Sequence, residues 1–259
     1  IPDINLTPYS IWLATVVVSG ISYLSYLLKR YVFRESGVLV SGIVGGLYSS
    51  TATISVLARK SRNIHSGQAT EYVAAMLLAV SMMFLRFMIL ISIFSREIFL
   101  DIYPYLLIMA LTAAAVAWFI HSRRKKTDVT ENVDEDEDGS NPLEFKVALI
   151  FAVLFVVFTV LTHYTLIYAG TGGLNLLSFV SGFSDITPFI LNLLQSTGTV
   201  AALVITACSM QAIVSNIMVN MCYALFFAGK GSKLRPWILG GFGCVIAVNA
   251  VVLLIFYFL

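Results

Sequence analysis

Apolar residues run along this chain in eight long stretches, roughly 8–28, 37–58, 70–93, 98–121, 143–169, 174–195, 199–229 and 235–259. Each approaches or exceeds the roughly 20 residues that a helix needs to cross a bilayer. The runs lack the short alternating pattern of membrane β-strands, so the pattern predicts eight helices. Two of them carry polarity where a spanning helix would carry leucine. "GGLYSSTAT", Gly45 to Thr53, sets two glycines, two serines and two threonines inside the second stretch, and "SGFSDIT", Ser181 to Thr187, interrupts the sixth.

Between the fourth and fifth stretches lies "HSRRKKTDVTENVDEDEDGSNP", basic at its start and then strongly acidic. Such a run has nothing to bury and reads as a solvated spacer. It divides the chain into a first membrane repeat (1–121), a charged linker (122–142) and a second repeat (143–259). "VGGLYSSTATISVLA" from Val44 aligns with "VSGFSDITPFILNLL" from Val180, and "LAVSMMFLR" from Leu78 with "AIVSNIMVN" from Ala212. One offset near 135 residues serves both pairs and carries the first stretch onto the fifth and the fourth onto the eighth.

Basic residues decide how the stretches sit in a membrane, because cytoplasmic loops collect Lys and Arg. If all eight cross, seven basic residues fall on one side and eight on the other, which is no bias. If the second and sixth stretches dip in and return, fourteen share one side and Arg96 stands alone on the other. If only one of the two re-enters, the split is eleven to four. The expected fold is therefore an all-α integral membrane protein of two inverted repeats. Each repeat has three transmembrane helices and one re-entrant helical hairpin, six crossings and two hairpins in all. The basic loops and linker are expected on the cytoplasmic side and both termini outside.

Composition agrees with this class. The 259 residues are 59% hydrophobic and 12% charged, about half the charge fraction of a soluble domain, and the mean hydropathy is +0.90. "IPDINLTPYS" has no basic start of the signal-peptide kind. Beginning on Ile, the chain is expected to be a fragment or to lack its first residues. Cys208, Cys222 and Cys244 form no CxxC pair and read as small apolar residues. No histidine has the spacing of a metalloprotease helix, and "GKGSK" at 229–233 lacks phosphate-loop spacing. Neither an enzyme nor a nucleic-acid binder is expected, and no cofactor or metal.

The candidate chemistry lies in the two polar interruptions. Backbone that leaves a helix at membrane depth must be buried in protein or line a wet cavity. Gly45 and Gly46 are expected to permit a tight turn and close backbone approach, and Ser49, Ser50 and Thr51 to cap the helix that follows. Its positive end would then face the membrane midplane, while Arg59, Lys60 and Arg62 suit its other end. In the second half Gly182 would turn the chain, Ser184 or Asp185 would cap, and Thr187 and Pro188 fall in the first helical turn. Asp185 is the only acid deep in an apolar stretch, either as a plain cap or as an ion- or proton-handling group. Arg86, the only base inside one, needs a partner. The alternatives are Asp185, backbone carbonyls of a hairpin tip, an open role as anion ligand, or reaching for the outer surface. Asn216 and Asn220 share a helix face, either as interhelical glue or as a polar lining.

"GIVGGLYSSTATISVLARKSR", "LAVSMMFLRFMIL", "NPLEFKVALIF", "FVSGFSDIT" and "VSNIMVN", in this order, resemble an uncharacterised prokaryotic membrane domain often found C-terminal to an MgtC/SapB-like domain. The resemblance covers nearly the whole chain. It carries over Gly45, Gly46, Ser49, Ser50, Thr51, Arg86, Asp185 and Asn216. The chain departs from the pattern at Pro188 and at Val219–Asn220, where a lysine often follows the asparagine. The resemblance implies a prokaryotic inner-membrane protein and assigns no activity.

Together these readings favour a secondary transporter of a small ion or small polar solute, its site at the midplane between the hairpins and Asp185 coupling a proton or cation. The alternatives are a channel of the same helix count or a non-transporting regulatory subunit. The expected partners are the lipid bilayer and that solute, with assembly as a homodimer left open.

Overall fold

The computed structural model describes residues 7–32, 37–63, 68–123, 145–196, 200–229, 232 and 234–258. Among these the chain is helical, without strands. The helices are α1 (Pro8–Leu27, ending in a π-turn at Leu28–Val32), α2 (Val38–Lys60, followed by the short 3-10 turn Ser61–Asn63), α3 (Ala69–Phe94), α4 (Arg96–Ser122), α5 (Phe145–Ser181), α6 (Ile186–Gln195), α7 (Ala202–Ala228) and α8 (Arg235–Phe258). By length and composition seven of them are apolar enough to cross a membrane; α6 is the short one. The linker expected at 122–142 lies almost wholly outside the described residues.

Local sequence sets several helix ends. Thr7 and Ser10 form a reciprocal cap ahead of Pro8 at the start of α1, satisfying donors that the first turn leaves free. Ser95 caps α4 by accepting from the Ile98 amide.

Two helices are broken. In α2 the backbone at Ser49 is extended, with φ −157° and ψ 109°. A Cβ at Gly45 would lie 2.5 Å from Thr53 Oγ1, although eight residues of straight helix span about 12 Å. The chain therefore bends sharply between them. In α5 the break is at Gly170, with φ 59° and ψ −151°, a conformation that glycine adopts without a Cβ penalty. The pieces are α2a (38–48), α2b (50–60), α5a (145–169) and α5b (171–181). At about 1.5 Å per residue, α2a, α2b, α5b and α6 each reach about 15–17 Å, half of a roughly 30 Å hydrocarbon core.

One expectation is corrected here. Gly45 and Gly46 do not make the turn: both keep helical backbone within α2a, and the break falls at Ser49. The close approach expected of them is present: Gly45 stands against Thr53 across the bend, and Gly46 against the α3 backbone. A Cβ at Gly46 would stand 2.5 Å from Ala79 Cα, and one at Gly42 would overlap the Ala75 carbonyl. Gly42 and Gly46 thus meet Ala75 and Ala79 as two small-xxx-small faces, which lets α2 and α3 approach at backbone distance.

Two contacts tie the broken elements to opposite ends of the bundle. Beyond α2b, Arg62 donates from Nε to the Phe227 carbonyl and from Nη2 to that of Phe226. Arg59 lies 4.3 Å over the Phe227 ring. These close the C-terminal end of α7, where carbonyls lack helical partners. By contrast, α6 runs into the N-terminal end of α7, and Gln195 donates to the Ser10 carbonyl at the start of α1. At 27 residues, α7 is itself about 40 Å long.

The core gathers on α3, α6 and α7. Nine of the ten α6 residues are buried. Helix α3 packs on α2, α4, α6 and α8, and α7 packs on α2, α5, α6 and α8. The outward faces stay apolar, as at Leu111, Trp118 and Tyr168, which suits lipid rather than water.

Candidate functional site

The break at Ser49 has a direct chemical result. In an unbroken helix the Tyr48 carbonyl would accept from the amide of residue 52. Here the Ser49 hydroxyl takes the Ala52 amide at 3.3 Å, as an N-cap of α2b. The released Tyr48 carbonyl accepts instead from Arg86 Nη1, at 2.8 Å. Arg86 comes from α3, is 9% exposed, and leaves its Nε buried without a partner. The Asp185 carboxylate acts on it as an opposite charge. Of the alternatives open to Arg86, the structure realises a backbone carbonyl, the one at the break in α2.

The second tip is built on the same plan from different atoms. Asp185 is the N-cap of α6, its Oδ1 accepting from the Thr187 amide at 3.0 Å. Its side chain is exposed, as is that of Ser184, whose hydroxyl donates to the Ser181 carbonyl at 3.1 Å. The Gly182 carbonyl accepts from Asn216 Nδ2 at 3.1 Å, and Asn216 Oδ1 accepts from Asn220 Nδ2 at 3.1 Å. A Cβ on Gly182 would overlap the Ser215 hydroxyl and stand 2.8 Å from the Asn216 amide nitrogen. The two asparagines therefore work as a pair that holds the tip, while Asn220 Oδ1 keeps a buried, unused acceptor.

The tips match in register. Gly46 packs on Ala79 and Gly182 on Ser215; Ser49 caps one half-helix and Asp185 the other. Each of the three equivalences, 182 minus 46, 215 minus 79 and 185 minus 49, is 136 positions. Of the remaining expected residues, Ser50 and Thr187 are buried beside their tips, and Thr51 supplies the carbonyl that accepts the Ser55 hydroxyl at 2.8 Å.

Other buried polar groups escaped the sequence reading. Asn192 donates to Thr159 Oγ1 at 2.7 Å between α6 and α5a, and Cys208 donates to Asn175 Oδ1 at 3.3 Å between α7 and α5b. Thr206 and Ser209 are wholly buried with unpartnered hydroxyls. Thr206, Ser209, Asn216 and Asn220 recur at the spacing of one helix face, and that periodicity was the available signal. Among the described residues no three His, Cys, Asp or Glu stand together as a metal site.

Comparison with known proteins follows these features. An uncharacterized protein of Aquifex aeolicus (strain VF5) is 26% identical over 212 residues, 78% of this chain and 87% of its own. No solved structure matches. Residues 16–228, which include both tips, Arg86 and the asparagine pair, match the family described as a domain of unknown function, DUF4010. The chain belongs to that family.

Proposed function

We propose that this protein is a membrane transporter for a small ion or small polar solute, with its site at the break in α2 and the turn between α5b and α6. In this reading α2 and the α5b–α6 pair are re-entrant hairpins, and the other six apolar helices cross. The halves are inverted repeats. The observation that carries the reading is the hydrogen bond from Arg86 to the Tyr48 carbonyl at one tip, with the Asp185 carboxylate of the other acting on the same guanidinium as an opposite charge. Arg62, beyond α2b, closes the C-terminal end of α7, whereas α6 leads along the chain to the N-terminal end of α7 and bonds to the start of α1, and this supports the inversion. Discontinuous helices whose ends face a midplane site are a recurrent transporter device.

The basic loops then lie on the cytoplasmic face of a prokaryotic inner membrane, with both termini outside. Asp185, exposed at its tip, is the group that would take up a coupling proton or cation. Flux into proteoliposomes tests the proposal. Saturable uptake driven by a proton or sodium gradient, with the coupling abolished in Asp185→Asn, is the expected result. Uncoupled, non-saturating flux would make the protein a channel. No flux of any solute would leave a regulatory role and end the transport reading.

A further inference from the structure

Resting on the same site, we propose that this protein binds a small oxyanion, of the carboxylate, nitrate or phosphate type, through Arg86 and the N-terminal ends of α2b and α6. Three observations lead there. Arg86 is nine-tenths buried, yet its Nε has no partner while Nη1 is held by the Tyr48 carbonyl. A buried donor without an acceptor is unfavourable, and proteins fill such places with water or ligand. The fork of a guanidinium, Nε beside a terminal nitrogen, receives two oxygens of one planar anion.

The second observation is the pair of helix starts, one capped by Ser49 and the other by Asp185. Both half-helices exceed two turns, and each N-terminus carries a partial charge of about +0.5. The third is the balance of charge. Against Arg86 and these two termini stands one carboxylate, Asp185. The sum is about +1, counting each helix end at its partial value. With Asp185 ionised, an oxyanion at this site meets a net opposite charge, while Asp185 itself stays open to a coupling proton or cation.

Asp185 is then an opposing charge that keeps the anion site from holding its ligand too tightly. Asn in its place preserves the cap, since Asn and Asp are equally good at that position, but removes the opposing charge.

The test uses the full chain in lipid nanodiscs. Its thermal unfolding midpoint is followed against sodium formate, sodium nitrate and sodium phosphate, with sodium chloride at matched ionic strength as the reference. A saturable rise with at least one oxyanion beyond chloride is expected for the unaltered protein. Arg86→Gln is expected to weaken that response about tenfold or more, the size of one lost charge-assisted contact. Asp185→Asn is expected to tighten it severalfold. No oxyanion-specific rise in the unaltered protein overturns the proposal, whether or not Arg86→Gln folds. An unchanged response in Arg86→Gln, or a weaker one in Asp185→Asn, overturns it as well. Oxyanion binding without flux in proteoliposomes would remove the transport reading alone. Coupled uptake of a cation with no oxyanion response would remove this inference alone.

Discussion

Arg86 donates to the Tyr48 carbonyl at 2.8 Å, the carbonyl that the break at Ser49 releases from the helix ladder. A charged side chain at membrane depth and an orphaned backbone acceptor are each unfavourable alone. Together they satisfy one another and lock the first tip against α3.

Arg86→Gln should therefore destabilise the fold as well as the site. The loss expected is about 1–3 kcal/mol, the range for leaving a buried acceptor without its partner. Thermal unfolding in detergent measures it. A midpoint unchanged from the unaltered protein would mean that the Tyr48 carbonyl finds another donor.

Gly46→Ala and Gly182→Ala should each lower stability by about 1–3 kcal/mol through overpacking. The atoms in the way are the Ala79 backbone in the first case and the Ser215 side chain with the Asn216 backbone in the second. Gly172→Ala is the matched control, because its added Cβ meets nothing within 4 Å. It should be neutral or slightly stabilising, as alanine favours helix. Equal losses at all three positions would contradict the packing described.

Asp185 has two separable parts, a cap and a charge. Asp185→Ala should lower stability by about 0.5–2 kcal/mol through loss of the acceptor for the Thr187 amide. Asp185→Asn should keep nearly all of it. Unfolding midpoints of the two variants, measured side by side, separate the roles. A shared large loss would show that the charge, and not the cap, supports the tip.

The ends of the bundle predict sidedness. In a chain with Cys208, Cys222 and Cys244 replaced, single cysteines at Gln195 and Ser232 should react with an impermeant maleimide from opposite faces of sealed vesicles. Gln195 sits with the start of α1, and Ser232 just beyond the C-terminal end of α7 that Arg62 closes. Labelling from one common face would contradict the opposite anchoring of the broken helices.

Much of the helix order was legible because apolar runs of bilayer length have few alternatives. The boundary read at residue 169 falls beside the break at Gly170, and the read start of α2 beside Val38. The position of the first turn was misread. Two adjacent glycines resemble a turn in a list of residues, yet here Gly46 lies on the helix face that meets Ala79, and Gly45 stands against Thr53 across the bend. A glycine that bends the chain and one that admits a neighbour's backbone look alike until the neighbour is known. The same holds for Arg86: its place inside an apolar stretch marked it as needing a partner, but the choice of the Tyr48 carbonyl depended on where α3 lies beside α2.

By itself the sequence determined that the chain is a membrane-class bundle of apolar helices, interrupted by polarity at two places, with one acid and one base inside apolar stretches. Those properties follow from composition and periodicity, which each residue carries locally. Tertiary structure alone decided that Ser49 and not the glycines breaks α2. It also decided that Arg62 closes α7 and that Asn216 holds the second tip. The carbonyl released at Tyr48 likewise faces Arg86 only in the folded chain. These are pairings between atoms 34 to 165 residues apart, and a backbone carbonyl carries no mark in the sequence of whether a neighbouring helix will reach it.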